Sequence, residues 1–331
     1  MEGTVNRLVR IFVINSVKII SLLFAVSVIS FVLVSESPVD PVQQYILGLG
    51  TAVSPEQRAE IEDYWGVNEP PVERYTSWLK ELFKGNMGES SIYRRPVADI
   101  ISERFINSLA LMICAWILAG VIGFALGCVM GMYRNKWPDK ILKKVCYILS
   151  SIPTFWLGLL LLLVFGVWLR WFPIGFSSPV GVLSEDVTLG QKIYHLILPA
   201  FTLSLMSFAN IALHTRQKLI DVLNREYVLF AKARGEGKWT ILGRHGVRNI
   251  LLPALTLQFA SFAELFGGSV MAENVFSYPG LGSAVSAAGL QGDVPLLLGV
   301  TLFSALFVCV GNMIANLLYG VVDPQIREVG E

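Results

Sequence analysis

The sequence predicts an all-α membrane protein with six transmembrane helices, and three observations carry that prediction. First, 54% of the 331 residues are hydrophobic and only 15% are charged, with a mean hydropathy of +0.59; soluble domains run near ~25% charged. Second, six apolar stretches reach the about 20 residues that a helix needs to cross a bilayer: 11–34, 106–132, 145–168, 195–213, 250–272 and 294–322. Third, the basic residues alternate between sides. Arg7, Arg10 and Lys18, the cluster from Arg134 to Lys144, the eight from Arg216 to Arg248, and Arg327 place 17 Lys and Arg on one side, whereas the two short opposite loops hold only Arg170 and Lys192. By the positive-inside rule both termini are cytoplasmic, in a multi-pass protein of the cell (cytoplasmic or inner) membrane. The composition excludes a disordered, collagenous or nucleic-acid-binding chain. A net charge of +1 leaves no global field to attract DNA or an acidic partner.

The elements follow in order. The stretch 11–34 is too long for a signal peptide, carries Lys18 and lacks a small-x-small cleavage site, so it is read as a retained span. The loop 35–105 reads as an extracytoplasmic helical insertion, separate from the N-terminus and first span (1–34) and from the core (106–331). Within it, Ser54-Pro55-Glu56-Gln57 offers an N-cap, a proline at the first helical position and a capping-box glutamine, and Gly66 follows as a C′ residue. A second segment puts Val72, Tyr75, Trp78, Leu79, Leu82 and Phe83 on one helical face and ends at Gly85. The insertion is a docking surface for an external partner or a self-packed lid. In the second span Gly123, Gly127 and Gly131 recur every four residues, a spacing that lets helix backbones approach closely, within the subunit or across a dimer. Pro153, Pro199 and Pro253 mark kinks or helix starts. Phe276-Ser277-Tyr278-Pro279-Gly280-Leu281-Gly282 combines aromatics with turn formers and reads as non-helical backbone that protein or water must cover.

No catalytic constellation emerges. His195, His214 and His245 lie far apart, and there is no HExxH, GxSxG or paired-carboxylate pattern. Gly235-Glu236-Gly237-Lys238 fails as a phosphate loop because Lys232 stands at the first glycine position and Trp239 at the Ser/Thr position. Cys114, Cys128, Cys146 and Cys309 lie in or beside apolar runs without CxxC spacing, so no disulfide framework or metal site is expected. Acids inside a membrane are costly and mark function by default. Glu264 in mid-span five and Glu273 near its end, with Gln258 and Asn210, are the candidate lining of a polar pathway; an interhelical hydrogen bond, or interfacial exposure for Glu273, is the other reading. The loop 215–249 carries eight basic and three acidic residues. A helical run there stops at Gly235 and a second begins near Trp239 and enters span five through Pro253, leaving a corner of small residues that another protein can approach.

Ala231-Lys232-Ala233-Arg234-Gly235, then Arg244-His245-Gly246-Val247-Arg248-Asn249 and Leu251-Leu252-Pro253, resemble the "EAA" loop of ABC-importer permeases, with the spacing of the peptide and nickel branch. Gly85-Asn86-Met87-Gly88-Glu89-Ser90, Arg95-Pro96-Val97, Glu273 through Gly282, and Asp323-Pro324-Gln325-Ile326-Arg327 are similar to further blocks of that branch, in the same order along the chain. Two sites depart from the pattern: Glu236-Gly237, where the branch more often has an apolar residue and then a polar one, and Glu264, at a position expected to be small or apolar. The resemblance implies that the chain is one permease of an importer with a homologous second permease, two ATP-binding cassette subunits and an extracytoplasmic substrate-binding protein. ATP and Mg would bind the partner subunits, and this chain would hold no cofactor and catalyse nothing. It further implies that the loop forms a cytoplasmic coupling helix, with Glu226, Tyr227, Ala231, Lys232, Ala233, Arg234, Gly235, His245, Arg248, Asn249 and Pro253 at the ATPase contact. Dipeptides or oligopeptides are the first substrate choice, nickel or a metal chelate the second; without a Cys/His cluster a naked metal held by this chain is disfavoured. A self-sufficient secondary transporter or channel is opposed by the lack of an inverted repeat or of broken spans in matching positions.

Overall fold

The computed structural model describes residues 2–36, 42, 43, 46, 53–64, 69–182 and 186–322; the expectations for Gly66 and for Asp323 to Arg327 lie outside them. Among the described residues the regular elements are helices. The chain divides into two compact units, Met1–Asn107 with Gly280–Val310, and Ser108–Pro279 with Gly311–Glu331. The 35–105 insertion thus shares a unit with the first span and with residues 280–310.

In the first unit, α1 (Glu2–Ser35) is the first span. Helix α2 (Pro55–Tyr64) opens with the expected capping box: the Ser54 N–H donates to Gln57 Oε1 at 3.0 Å and the Gln57 N–H to Ser54 Oγ at 3.2 Å. Helix α3 (Pro71–Phe83) begins behind Pro70 and stops at Gly85, whose φ is +85°. Tyr75 and Trp78 of α3 pack on Phe31 of α1, with ring centroids 5.3 and 6.2 Å away, and the Tyr75 hydroxyl hydrogen-bonds Ser27 Oγ at 2.7 Å. The expected apolar face is only partly used, because Val72 and Phe83 are 73% and 85% exposed. At about 100° per residue the six apolar positions span about 140°, and these two lie at the edge away from Tyr75 and Trp78.

Helix α4 (Val97–Met132) starts in this unit, whose core also takes in residues from the two helices after Pro279 that are numbered last below. Val97, Ile100 and Ile101 are buried with Leu281, Ala288, Leu296 and Val300, and Phe105 meets Phe303 and Phe307 edge-on at 5.0 Å. Before α4 the chain folds back on itself, with Glu89 bridging Pro96 and the Val97 N–H donating to Gly88 O at 3.0 Å. The fully buried Asp293 carboxylate accepts from Ser90 Oγ at 2.5 Å, from the Ile92 N–H at 3.1 Å and from the Leu296 N–H at 3.1 Å.

The second unit continues α4 and adds α5 (Trp137–Ser151), α6 (Thr154–Leu161, prolonged by a π turn to Trp168), α7 (Leu189–Leu223), α8 (Glu226–Ala233), α9 (Lys238–Ile241, prolonged by a π turn, Leu242–Val247), α10 (Arg248–Ala260) and α11 (Phe262–Val275). The two remaining helices are α12 (Leu281–Gln291) and α13 (Val294–Val322). The centre of the second unit is α7, which contacts α5, α6, α10 and α11. It begins with a capping box the sequence reading missed, Thr188 with Gln191, and carries Pro199 without a break. The glycine stripe of α4 faces α7 within this chain. A Cβ at Gly123 would lie 2.8 Å from Phe208 O, one at Gly127 2.6 Å from Thr215 Cβ, and one at Gly131 2.8 Å from Leu219 Cδ2. Arg216 of α7 grips Asp139 of α5 through two hydrogen bonds, Nε to Oδ1 at 2.5 Å and Nη2 to Oδ2 at 2.8 Å.

Two spans differ from the sequence reading. The third, read as 145–168 with a kink or helix start at Pro153, begins earlier, at Trp137, and does break there, by 110° between Ser151 and Thr154. Pro153 lacks an N–H, and Ile152 before it is extended (φ −88°, ψ 132°), as the proline ring requires of its neighbour. The fifth, read as 250–272, bends by 59° near Ser261. These breaks lie in the third and fifth spans, which are not matching positions of two three-span halves. The aromatic turn after α11 is buried as protein-covered backbone: Phe276 is 1% and Tyr278 4% exposed, and Phe276 O accepts the Phe176 N–H at 3.0 Å.

Candidate functional site

The loop 215–249 is folded throughout. Helix α7 ends at Asn224, and the Arg225 carbonyl starts α8 by accepting the Val228 and Leu229 N–H groups at 3.0 and 3.1 Å. The end of α8 is a Schellman motif: the Gly235 N–H donates to Lys232 O at 2.9 Å and the Glu236 N–H to Ala231 O at 3.1 Å, with Gly235 at φ +81°. That left-handed conformation is why glycine stands there. Lys232 reinforces the corner by donating from Nζ to Leu223 O at 3.1 Å.

Helix α8 has two faces. Val228 and Ala231 are fully buried against Ile241, with Val222 and Leu223 beside them. Tyr227 and Phe230, three residues apart on the other face, are 43% and 73% exposed, and Trp239 in α9 is 62% exposed. Helix α8 thus presents exposed aromatics on a short helix held by a buried aliphatic base. Among the expected contact residues Glu226, Tyr227, Lys232, Ala233, Arg234, Gly235, Arg248 and Asn249 are exposed, His245 and Pro253 are half-buried, and Ala231 is buried, where it supports α8 from beneath. Asn249 Nδ2 donates to His245 O at 2.6 Å and stiffens the turn into α10. Sequence reasoning missed Phe230 and Trp239. The signal was present: with Val228 and Ala231 inward, helical period sends position 230 outward.

The four pathway candidates do not form one polar file. Gln258 is buried and bound to α4 in both directions: Trp116 Nε1 donates to Gln258 O at 2.8 Å, and Gln258 Nε2 donates to Trp116 O at 2.5 Å. Glu273, also buried, accepts from Ser108 Oγ at 2.7 Å. Both are ties to α4, eight positions apart. Glu264 and Asn210 are exposed. Glu264 stands in the first turn of α11, directly after the bend at Ser261, where a helix N-terminus favours negative charge. A groove of about 300 Å³ between α4, α7 and α10, with Gln258 at its wall, is otherwise lined by apolar groups such as Trp116, Val121, Ile211 and Leu255.

The fold is that of a multi-pass helical membrane protein with a folded loop between two spans. The chain belongs to the family of binding-protein-dependent transport system inner membrane components, which it matches over residues 123–328, with the N-terminal part of that family matched over residues 8–112. It is therefore an ABC-importer permease. It is 35% identical over 309 residues to the oligopeptide transport system permease protein AppB of Bacillus subtilis, covering 93% of this chain and 96% of the relative. It is 32% identical over 311 residues to the glutathione transport system permease protein GsiC of Escherichia coli K12, again covering 93% and 96%.

Proposed function

We propose that this chain is the permease subunit of an ATP-driven importer of peptides and forms half of the translocation path beside a homologous second permease. The observation that carries the coupling role is the two-faced helix α8, its aromatic strip outward and its aliphatic base fixed to the end of α7. Two ATPase subunits bind and hydrolyse ATP with Mg and grip α8 from the cytoplasm. An extracytoplasmic binding protein delivers the peptide. The basic census supports this orientation, with the loop 215–249 and both termini in the cytoplasm.

The mechanism follows from the connections. Helix α8 is bonded backward to α7 through Lys232 and Leu223 and forward through α9 to α10, so a displacement of α8 moves the fourth and fifth spans together. The bends at Ile152–Pro153 and Ser261 are where the spans change direction between inward-open and outward-open arrangements. Glu264 and Asn210 stand where a passing substrate reaches them, whereas Gln258 and Glu273 hold the wall to α4. The peptide names of the relatives favour peptides over nickel.

Reconstitution of the complete complex tests this reading. Phe230→Cys should form a disulfide with a cysteine in the groove of the ATPase subunit, and uptake should require ATP and be competed by short peptides but not by nickel. Uptake by the isolated chain without ATPase subunits would establish a self-sufficient transporter or channel instead.

A further inference from the structure

We propose that Glu236 is a positioning residue that ties the end of α8 to the π turn leading into α10, so that movement imposed on α8 reaches the fifth span without slack. The inference rests on the coupling role proposed above and deepens it.

Glu236 lies two positions beyond Arg234, the C-cap of α8, where a Schellman motif ordinarily places an apolar side chain against the helix it has just left. Here a carboxylate stands instead, and it is only 14% exposed. It draws three groups together. Arg234, on the last turn of α8, reaches Glu236 Oε1 at 2.7 Å. Arg244 and His245, both in the π turn, lie 3.8 Å from Oε1 and 3.7 Å from Oε2. One acid therefore joins the two arms of the corner above the Val228, Ala231 and Ile241 contact that joins them below. The His245 ring is flanked on its other side by Tyr227 of α8, with ring centroids 5.9 Å apart.

The His245 contact is poised rather than closed. Glu236 Oε2 and His245 Nε2 are both buried and neither has a hydrogen-bond partner among the described residues. They face each other at 3.7 Å, so a shift of roughly 0.5 Å brings them into hydrogen-bond range. Pressure on Tyr227 and Phe230 is the perturbation that such a gap would answer, because Tyr227 lies against the same imidazole. The π turn adds a reason for a tie at this point. A π turn interrupts the α-helical hydrogen-bond pattern, and Leu242–Val247 is the stretch that joins α9 to α10. Without a brace there, displacement of α8 would be absorbed before it reached Arg248.

The test uses the full transporter complex in lipid nanodiscs and compares amide hydrogen exchange with nucleotide trapped by vanadate and with ADP. In the wild type, trapping should change exchange both in α8 and at the start of α10, residues 248–252. Glu236→Gln keeps the shape of the side chain and removes its charge; the change at 248–252 should fall by about fivefold, the scale of losing one partly screened charged contact, while the change in α8 persists. Glu236→Leu restores an apolar group suited to the Schellman position. It should keep residues 235 and 236 protected and still lose transmission to 248–252. Transmission equal to wild type in either variant overturns the proposal and leaves Glu236 as a helix stop only. A wild-type α8 that does not respond to trapping overturns the coupling role itself, a result distinguishable from failure of the brace.

Discussion

Replacing Gly127 by alanine should separate two helices that only a glycine lets meet. The added Cβ would stand 2.6 Å from Thr215 Cβ and 2.7 Å from Ala212 O, whereas ordinary contact begins at 3.4 Å. Helices α4 and α7 must part by roughly 0.8 Å at that level, which thins the dispersion contact of the turns on either side. Overpacking of this kind costs about 1–3 kcal/mol. The better helix propensity of alanine returns up to about 1 kcal/mol. The net expectation is a loss of about 1–2 kcal/mol, or a Tm lower by roughly 1–3 °C for a chain of 331 residues. Gly267 is the matched control: it is also helical, but a Cβ there meets nothing within 4 Å, so Gly267→Ala should be neutral or slightly stabilising. Thermal denaturation of both purified variants in one detergent checks the pair. Equal Tm shifts in the two would refute the close approach of α4 to α7 as the reason for the stripe.

Three further outcomes are expected. Gly235→Asp meets no neighbour within 4 Å but must hold φ near +81°, so it should cost only about 1–2 kcal/mol locally; the permease should reach the membrane while transport and stimulated ATP hydrolysis are lost, and normal uptake would remove the loop from coupling. Asp139→Asn leaves a mostly buried Arg216 guanidinium without its counter-charge and should lower stability by about 1–3 kcal/mol, read as Tm, with the Asp139→Leu/Arg216→Met pair recovering part of the loss. Glu264→Gln should reduce uptake or shift peptide preference at unchanged expression; wild-type kinetics across several peptides would take Glu264 out of the path.

The features legible in the sequence are those decided within one helical turn or by the membrane as solvent. The Ser54–Gln57 box, the stop at Gly235 and the break before Pro153 each depend on a residue and its nearest neighbours, so local rules suffice. The apolar stretches are legible because lipid leaves the backbone no other partner than itself. The bend at Ser261 is a different matter. No proline or glycine stands there, and the mostly apolar run around it reads as one span with Glu264 at its middle; the bend makes Glu264 a first-turn residue instead.

The long-range ties are illegible for a physical reason. Asp139 with Arg216, Trp116 with Gln258 and Ser90 with Asp293 are separated by 77, 142 and 203 positions, and nothing local to either partner names the other. What sequence does reveal is that a polar group in an apolar run needs compensation of several kcal/mol. It does not reveal the source, and here the sources differ. Glu273 receives a hydroxyl from Ser108, the Gln258 side chain donates to the Trp116 carbonyl, and Glu264 takes the N-terminal end of a broken helix. Only the last arrangement leaves a carboxylate both compensated and exposed. An exposed carboxylate in the first turn of a helix is equipped to meet the ammonium end of a peptide, which is why Glu264 and not Glu273 stays in the proposed path.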